Sequence, residues 1–159
     1  MLRDEAMRLI ADLSLKPHPE GGFYIQTFRS EISVTAPWAV RPAITSIHFL
    51  LSAVDFSSFH RLRSDEIWHH YRGAPVVIDV IHPDGTYERI VIGEKSRWQG
   101  SIRAGAWFAA HVARRNAYAL VGCDVGPGFD FSDFEIAERE ALAQAFPQHR
   151  ALIERWTRA

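Results

Sequence analysis

The feature that most constrains the fold of this 159-residue chain is a series of short β-like segments between residues 23 and 124. Turn residues separate them, most clearly at Pro83-Asp84-Gly85. Such a series predicts a β-barrel or a two-sheet sandwich. The alternation of apolar and polar residues is imperfect, as expected where both faces of a strand are buried. The predicted strands cover residues 23–30, 44–52, 58–61, 66–71, 76–81, 87–92, 98–103, 107–113 and 117–124, and we expect 58–61 to pair with 66–71.

Helical segments are predicted on both sides of this series. Apolar residues recur at helical spacing over residues 2–13, which predicts an N-terminal helix, and two prolines and two glycines then break the chain over residues 16–22. A capping box at residues 132–135 predicts a helix from about 133 to 145, and Pro147 predicts a second helix that ends at Trp156. We expect one domain over residues 1–159, with a barrel at about 22–125 and C-terminal helices at about 133–156.

Charge and composition exclude several classes of function. The 18 Lys and Arg residues nearly balance the 19 Asp and Glu residues, so a nucleic-acid partner is not expected. No apolar run is long enough to span a bilayer, and the first residues lack the basic and apolar regions of a signal peptide. The single cysteine, Cys123, cannot form a disulfide within the chain and fits a reducing compartment. These features predict a cytoplasmic protein without a membrane partner.

One constellation of polar residues stands out within the strand series. His60 is followed by Glu66 and then by Gly73, and a second glycine element, with Gly105, covers residues 103–108. His60 and Glu66 on facing strands would share one cavity. Imidazole and a partly buried carboxylate are suited to proton transfer near neutral pH. We therefore interpret His60 and Glu66 as the candidate catalytic pair.

Strand parity extends this pair to candidate ligand-binding residues. Side chains alternate between the faces of a strand, so two residues after Glu66 share its face. On the strand at 44–52, the polar face is the better candidate to line a pocket, and aromatic residues near Gly105 are candidates for its wall. By contrast, His18, His82 and His149 lie in or beside predicted loops or a terminal helix and are expected in solvent. The ligand-binding candidates are Ser46, His48, Trp68, His70, Trp107 and Phe108.

Four segments together resemble a known family. They are Pro17-His-Pro-Glu-Gly-Gly-Phe-Tyr24, Phe59-His-Arg-Leu-Arg-Ser-Asp-Glu-Ile-Trp-His69, Ala104-Gly-Ala-Trp-Phe108 and residues 121–135. The chain resembles the fifth cupin family, small bacterial and fungal cupins of unknown function, over about residues 13–146. The resemblance implies a double-stranded β-helix, the cupin jelly-roll barrel, which is usually dimeric. It also implies a small-molecule pocket like that of metal-free sugar-nucleotide epimerases.

The cupin pattern also bears on metal binding. His60 and Glu66 fall on metal-ligand positions of that pattern, whereas Leu62 and Phe108 occupy two further ligand positions and cannot coordinate a metal. Catalytic Zn or Fe sites usually have three protein ligands. We therefore expect no cofactor and no metal. If a divalent metal binds, His60 and Glu66 would hold it.

Two classes of function follow from this pocket. The first is a metal-independent isomerase or epimerase that acts on a polar metabolite such as a sugar nucleotide, with His60 as base and Glu66 as its partner. The second is a non-catalytic cupin that binds or senses a metabolite, and a metal-dependent oxygenase or isomerase is a third alternative.

The predicted strand at 23–30 follows a Pro/Gly break and could pair with a partner's sheet, so we expect a homodimer.

Overall fold

The chain folds into two facing antiparallel β-sheets with helices before and after them. The structure, a computed structural model, describes residues 2–159, with side chains from Asp4 onward. One sheet has six strands in the order β1-β2-β5-β12-β7-β10, the other has five in the order β13-β6-β11-β8-β9, and β3 and β4 form a separate hairpin. These strands are β1 (Lys16–Pro17), β2 (Phe23–Arg29), β3 (Ser33–Thr35), β4 (Val40–Pro42), β5 (Thr45–Ser52), β6 (Ser57–Leu62), β7 (Asp65–Gly73), β8 (Val76–Ile81), β9 (Tyr87–Ile92), β10 (Gln99–Ile102), β11 (Trp107–Val112), β12 (Tyr118–Gly126) and β13 (Phe134–Ile136).

All nine predicted strands are present, as β2 and as β5 to β12, and their ends differ from the predicted ones by at most two residues. The hairpin of β8 and β9 is paired along its whole length around the predicted turn. The mostly β class with flanking helices is therefore confirmed. Four short strands, β1, β3, β4 and β13, were not predicted, because they have only two or three residues each and carry no alternating pattern.

The predicted pairing of residues 58–61 with residues 66–71 is wrong. β6 pairs with β11 and β13, whereas β7 pairs with β10 and β12 in the other sheet. The chain crosses from one sheet to the other at Arg63-Ser64, so β6 and β7 face each other across the interior instead of sharing hydrogen bonds. Among the described strands, no pairing joins the two sheets into a closed barrel.

The helices agree with the sequence at the N-terminus and differ at the C-terminal segment. They are α1 (Leu2–Asp12), α2 (Arg139–Ala145) and α3 (Arg150–Arg155), the last preceded by a short 3-10 helix, Pro147–His149. The capping box at 132–135 does not begin a helix, because Asp130 caps a 3-10 helix there and β13 follows. α2 begins later, where the Glu138 carboxylate accepts hydrogen bonds from two backbone N–H groups. None of the helices described is long and apolar enough to cross a membrane.

The main apolar core lies between the two sheets. Phe49 and Trp68 from one sheet meet Ile78 and Phe108 from the other, all with at most 1% of their surface exposed. The C-terminal helices cover the outer face of the five-stranded sheet, and α1 covers one end of the outer face of the six-stranded sheet. Because the sheets are covered on their outer faces as well, strands such as β8 are buried on both sides, and every residue of β8 is buried. This explains why apolar and polar residues alternate imperfectly along the sequence.

Candidate functional site

A cavity of about 280 Å³ lies between the sheets, beside the turn that precedes β2. Polar groups line one part of it, and aromatic and aliphatic side chains line the rest. Lys and Arg are absent from this lining among the described residues. The polar lining residues are His18, Glu20, Tyr24, Gln26, Thr45, His60, Glu66 and Cys123, and the apolar ones are Ile47, Phe49, Leu62, Val125, Phe129, Phe131 and Phe134.

A tight turn brings His18 and Glu20 into the cavity. The Gly21 N–H donates to the His18 carbonyl at 3.0 Å, and Pro19, with its fixed φ, occupies the second position of this turn. Gly21 and Gly22 have φ values of 110° and 76°, which favour glycine. The prediction that His18 is in solvent is wrong, since only 6% of its side chain is exposed. The two prolines and two glycines identify the turn, but they do not indicate that the turn points inward.

Glu20 and His60 form a buried ion pair. Glu20 Oε2 lies 3.0 Å from His60 Nε2, and the Nδ1 atom of the same ring lies 2.7 Å from the Ser58 carbonyl oxygen. Because both ring nitrogens face acceptors, the ring carries a proton on each and is an imidazolium. Burial opposes this charge, but the Glu20 carboxylate outweighs burial and raises the pKa of His60. Burial also opposes ionisation of Glu20, and the positive His60 outweighs it and lowers the pKa of Glu20.

His18 is a neutral neighbour of this pair. Its Nδ1 atom accepts a hydrogen bond from the Glu20 backbone N–H at 3.2 Å, so the ring proton is on Nε2. Burial lowers the pKa of His18, although the nearby Glu20 carboxylate acts in the opposite direction. The ring lies edge-on to Tyr24, with their centroids 4.6 Å apart. His18 therefore lines the cavity as a neutral ring that carries its proton on Nε2.

Glu66 is a carboxyl group that stays protonated at neutral pH. Burial raises its pKa to about 8; the positive His60 acts against this shift and the negative Glu20 adds to it. Its Oε2 atom is buried and has no hydrogen-bond partner among the described residues. Burial, and then the nearby Glu66, also raise the pKa of the Cys123 thiol, so that thiol is protonated as well. Glu66 thus lines the cavity as a carboxylic acid that interacts with Cys123 and Trp68 and has one buried oxygen that no described residue engages.

An aromatic segment, residues 129–134, forms one wall of the cavity. The rings of Phe129, Phe131 and Phe134 lie between 4.9 and 6.0 Å apart, all in edge-to-face arrangements. Phe131 is half exposed, whereas Phe134 is close to the ring of His60, with centroids 5.4 Å apart. This wall offers apolar ring faces to a ligand, opposite the polar groups.

The aromatic segment is fixed to the β3–β4 hairpin by one carboxylate. Asp133 accepts two hydrogen bonds from the Arg41 guanidinium, at 2.7 and 2.9 Å, and one from the Trp38 indole at 3.1 Å. Hydrogen bonding from Arg41 lowers the pKa of Asp133. At the other end of the segment, the Phe129 N–H donates to the Thr45 hydroxyl at 2.8 Å. The wall is therefore held at both ends.

The structure places His60 and Glu66 at the same cavity, as expected from their spacing. Trp68 and Phe108 face the same interior but lie deeper in the core, and Phe108 packs on the His60 ring with centroids 4.0 Å apart. His70 also faces inward but lies further along β7, where its Nε2 atom hydrogen-bonds the carbonyl at position 74, away from this cavity. The parity argument for β7 thus holds, while the cavity occupies only one end of the interior.

Three other candidates lie outside the cavity. Ser46 and His48 are on the outer face of β5, where the Ser46 hydroxyl donates to Asp124, and the neighbouring residues of β5 line the cavity instead. The register with β12 turns the apolar face of β5 inward, so the expected polar pocket face is the outer one. Trp107 lies on the outer face of β11, under α2, with the Arg61 guanidinium over its ring. Trp107 and the inward-facing Phe108 are consecutive in β11, so their side chains lie on opposite faces of the sheet.

The side chains at the cavity do not fit a transition-metal centre. Leu62 lines the cavity at one of the cupin ligand positions, and Phe108 packs on His60 at another. The Nε2 atom of His60 is already engaged by Glu20. Across the described residues, no three His, Cys, Asp or Glu side chains are arranged to hold a metal ion.

Solved structures of similar proteins match this chain over almost its whole length. A hypothetical protein from Leishmania major is 35% identical, with a TM-score of 0.92, and the match covers 97% of this chain and 99% of that one. A protein from Shewanella oneidensis is 37% identical, with a TM-score of 0.88, and the match covers 95% and 96% of the two chains. The whole two-sheet fold with its flanking helices is therefore shared with proteins of closely similar size.

More distant matches extend the likeness at the level of fold. A variant of Bacillus subtilis oxalate decarboxylase is 13% identical with a TM-score of 0.57, and the match covers 88% of this chain and 36% of that one. At this identity only the fold is shared. No curated protein matches the chain. The family model described as "Cupin superfamily (DUF985)" matches residues 7–137, and the chain therefore belongs to this family of cupins.

Proposed function

We propose that this protein is a metal-independent proton-transfer enzyme of the isomerase or epimerase type that acts on a small polar metabolite. One observation carries the proposal: a carboxylate paired with an imidazolium, Glu20 with His60, shares a cavity with the protonated carboxylic acid of Glu66. A base and an acid whose environments separate their pKa values are what proton abstraction next to a carbonyl group requires.

In this proposal the roles differ from those expected from the sequence. His60 has both nitrogens engaged by acceptors and has no free lone pair, so it does not act as the base. Glu20 takes the proton from the substrate carbon, and His60 holds the Glu20 carboxylate in place. Glu66 donates its proton to the substrate oxygen, and an enediol results. Glu20 then returns its proton to the neighbouring carbon, and the Glu66 carboxylate takes the proton of the other hydroxyl group. These two transfers complete an isomerisation and restore both residues.

The charge of the cavity supports an uncharged substrate. Glu20 and His60 compensate each other, Glu66 is neutral at pH 7, and no Lys or Arg lines the cavity among the described residues. A phosphate or carboxylate would find no uncompensated cation there, because the His60 imidazolium is already paired with the Glu20 carboxylate. The volume of about 280 Å³ suits a molecule of about one ring. A sugar nucleotide is compatible only if its diphosphate lies outside the cavity.

Solvent-exchange labelling tests this function even though the substrate is unidentified. The protein is incubated with a metabolite extract in D2O, and mass spectrometry follows the incorporation of deuterium at carbon. We expect one metabolite to gain deuterium with the native protein and labelling to fall at least about 100-fold in Glu20→Gln and Glu66→Gln. The exposed Glu94→Gln serves as control. A metabolite that is retained by the protein but never labelled would identify a binding or sensor protein instead.

At the level of fold, we further propose that the two sheets are the jelly roll of a single cupin domain. The supporting observation is the strand order, β5-β12-β7-β10 in one sheet and β6-β11-β8-β9 in the other. Successive strands alternate between the sheets from β5 to β8 and again from β9 to β12, as two interleaved Greek keys require. The candidate cavity lies between these two sheets.

A further inference from the structure

Arg158, near the C-terminus, connects three parts of the chain beside the candidate site. Its Nη1 atom donates to the Glu20 carbonyl at 2.6 Å. Its Nη2 atom donates to Asp55 Oδ1 at 2.6 Å and to the Phe56 carbonyl at 2.8 Å. The guanidinium also lies over the Phe56 ring, 4.3 Å from its centroid. One planar group therefore joins the turn that carries Glu20 to the loop between β5 and β6.

The same loop supports the turn from the other side. The Gly22 N–H donates to Asp55 Oδ2 at 2.8 Å, and the Ser58 N–H donates to the Glu20 carbonyl at 2.8 Å. Gly21 packs so closely that a Cβ atom there would collide with the Phe56 carbonyl and with the Arg158 guanidinium. Asp55 thus accepts from both the turn and Arg158, and the Glu20 carbonyl accepts from both the loop and Arg158.

The C-terminal segment that presents Arg158 is itself fixed. The Phe59 N–H donates to the Trp156 carbonyl at 2.9 Å, which ties this segment to β6 next to His60. Thr157 is buried, its hydroxyl donates to the Ile153 carbonyl at 2.7 Å, and it accepts from Arg139 at 2.9 Å. Arg158 therefore starts from a rigid point close to the strand that carries His60.

We infer that Arg158 is a positioning residue that fixes the backbone at Glu20, so that the Glu20 carboxylate meets Nε2 of His60. This inference rests on the proposed role of the Glu20–His60 pair. Arg158 does not line the cavity, and it acts only through the turn. Two glycines in the turn make its backbone adaptable, and a fixed carbonyl at Glu20 removes that freedom. The planar fork of arginine suits this role, because it reaches two acceptors and the Asp55 carboxylate at once.

An NMR titration of His60 tests the inference without a substrate. The His60 ring signal is assigned among the eight histidines with His60→Gln and followed against pH. The titratable groups that face His60 are Glu20, Glu66 and His18. In Arg158→Ala we expect the His60 midpoint to fall by about one pH unit, because the carboxylate is no longer held against the ring. Arg158→Lys keeps the positive charge but lacks the planar guanidinium. We therefore expect its His60 midpoint to lie between those of Arg158→Ala and the native protein.

Arg155→Ala is the matched control, since Arg155 stacks on Trp156 in the same C-terminal segment and makes no contact with the turn. We expect it to leave the His60 midpoint unchanged. If Arg158→Ala does not fold, Asp55→Ala provides the second test, since it removes the acceptor shared by Arg158 and Gly22. An unchanged His60 midpoint in a folded Arg158→Ala or Asp55→Ala protein overturns the positioning role alone. A native His60 midpoint at or below its ordinary value overturns the ion pair, and with it both the positioning role and the proposed function.

Discussion

Glu20 Oε2 lies 3.0 Å from His60 Nε2 in the interior of the protein, and this contact joins the turn before β2 to the strand β6 of the opposite sheet. Only 7% of the Glu20 side chain and 3% of the His60 side chain are exposed. A charge pair at such depth is destabilising to break, because the remaining charge has no water to solvate it. Stability and the proposed proton transfer therefore depend on the same two residues.

Glu20→Gln should destabilise the protein most at mildly acidic pH. The native pair raises the pKa of His60, so its stabilisation is fully present below the ordinary value of 6.5 and disappears as pH rises through the folded pKa. We expect a loss of about 3 kcal/mol in the free energy of unfolding at pH 5.5 and a smaller loss at higher pH. Urea unfolding at several pH values measures this. Glu140→Gln, which removes an exposed ion pair with Arg150, should have little effect at any pH. A pH-independent loss in Glu20→Gln would contradict the ion pair.

Glu66→Gln should become progressively stabilising as pH rises. The folded pKa of Glu66 is about 8 against an ordinary value of 4.5, so the native protein loses stability between these two pH values, as the unfolded chain ionises and the buried carboxyl does not. Glutamine resembles the protonated form and does not ionise. We expect the advantage of the variant to grow from near zero at pH 4.5 to an upper limit on the order of 5 kcal/mol at pH 8.

The control for this series is Glu94→Gln at an exposed position, whose effect should not change over the same pH range. Chemical denaturation of the three proteins in parallel gives the comparison. If Glu66→Gln and the native protein lose stability with the same slope against pH, Glu66 is ionised in the folded state and cannot be the acid of the proposed mechanism.

Asp133→Asn should loosen the aromatic segment without unfolding the protein. The change removes the charge that binds the Arg41 fork and keeps one oxygen acceptor. We expect the hydrogen-bonded amide protons of Phe129 and Phe134 to exchange about tenfold faster, with little change in the strands of the core. Hydrogen–deuterium exchange measures both. Glu135→Gln, which breaks the neighbouring exposed pair with Arg61, should leave these amides unaffected. Equal exchange in the two variants would show that Asp133 does not hold the wall.

Elemental analysis should give less than one equivalent of transition metal per chain for protein purified without added metal. The physical reason is the donor set, in which Leu62 and Phe108 occupy two ligand positions of the cupin pattern and His60 is engaged by Glu20. Dialysis against a chelator should leave the thermal unfolding temperature unchanged. A stoichiometric metal whose removal lowers that temperature would show that the donor set has been misinterpreted.

Light scattering should give the mass of a dimer at micromolar concentration. β1 pairs only with Phe23 and Tyr24, so the rest of that edge of β2 carries no strand pairing among the described residues. The side chain of Phe28 on this strand is about half exposed. An unprotected edge of this kind is suited to pair with a second copy. We expect Phe28→Lys to shift the population toward monomer, whereas Phe131→Lys, similarly exposed but outside β2, should not. A monomer mass for the native protein would exclude this assembly.

Much of the fold could be predicted because its signals are local. The turn at Pro83-Asp84-Gly85 and the β-branched residues beside it define β8 and β9 with their correct ends. Parity along β7 correctly turns Glu66 inward, because alternation is a property of a single strand. The ends of the C-terminal helices were harder to predict from the sequence, because Asp130 and Glu138 act as helix caps in place of the predicted capping box at 132–135.

The four family-like segments were sufficient to predict the family, and short-range spacing with strand alternation was sufficient to predict the mostly β class and the inward position of His60 and Glu66. Three features could be seen only in the folded chain. They are the pairing of His60 with Glu20, the face of β5 that lines the cavity and the position of the turn that carries Glu20. These features depend on the register between strands far apart in the chain and on contacts across the two sheets. The Pro17-His-Pro-Glu segment shows the limit most clearly. Its two prolines and the two glycines that follow specify a turn. The burial of Glu20, however, arises from the packing of that turn against β6 and the C-terminal Arg158.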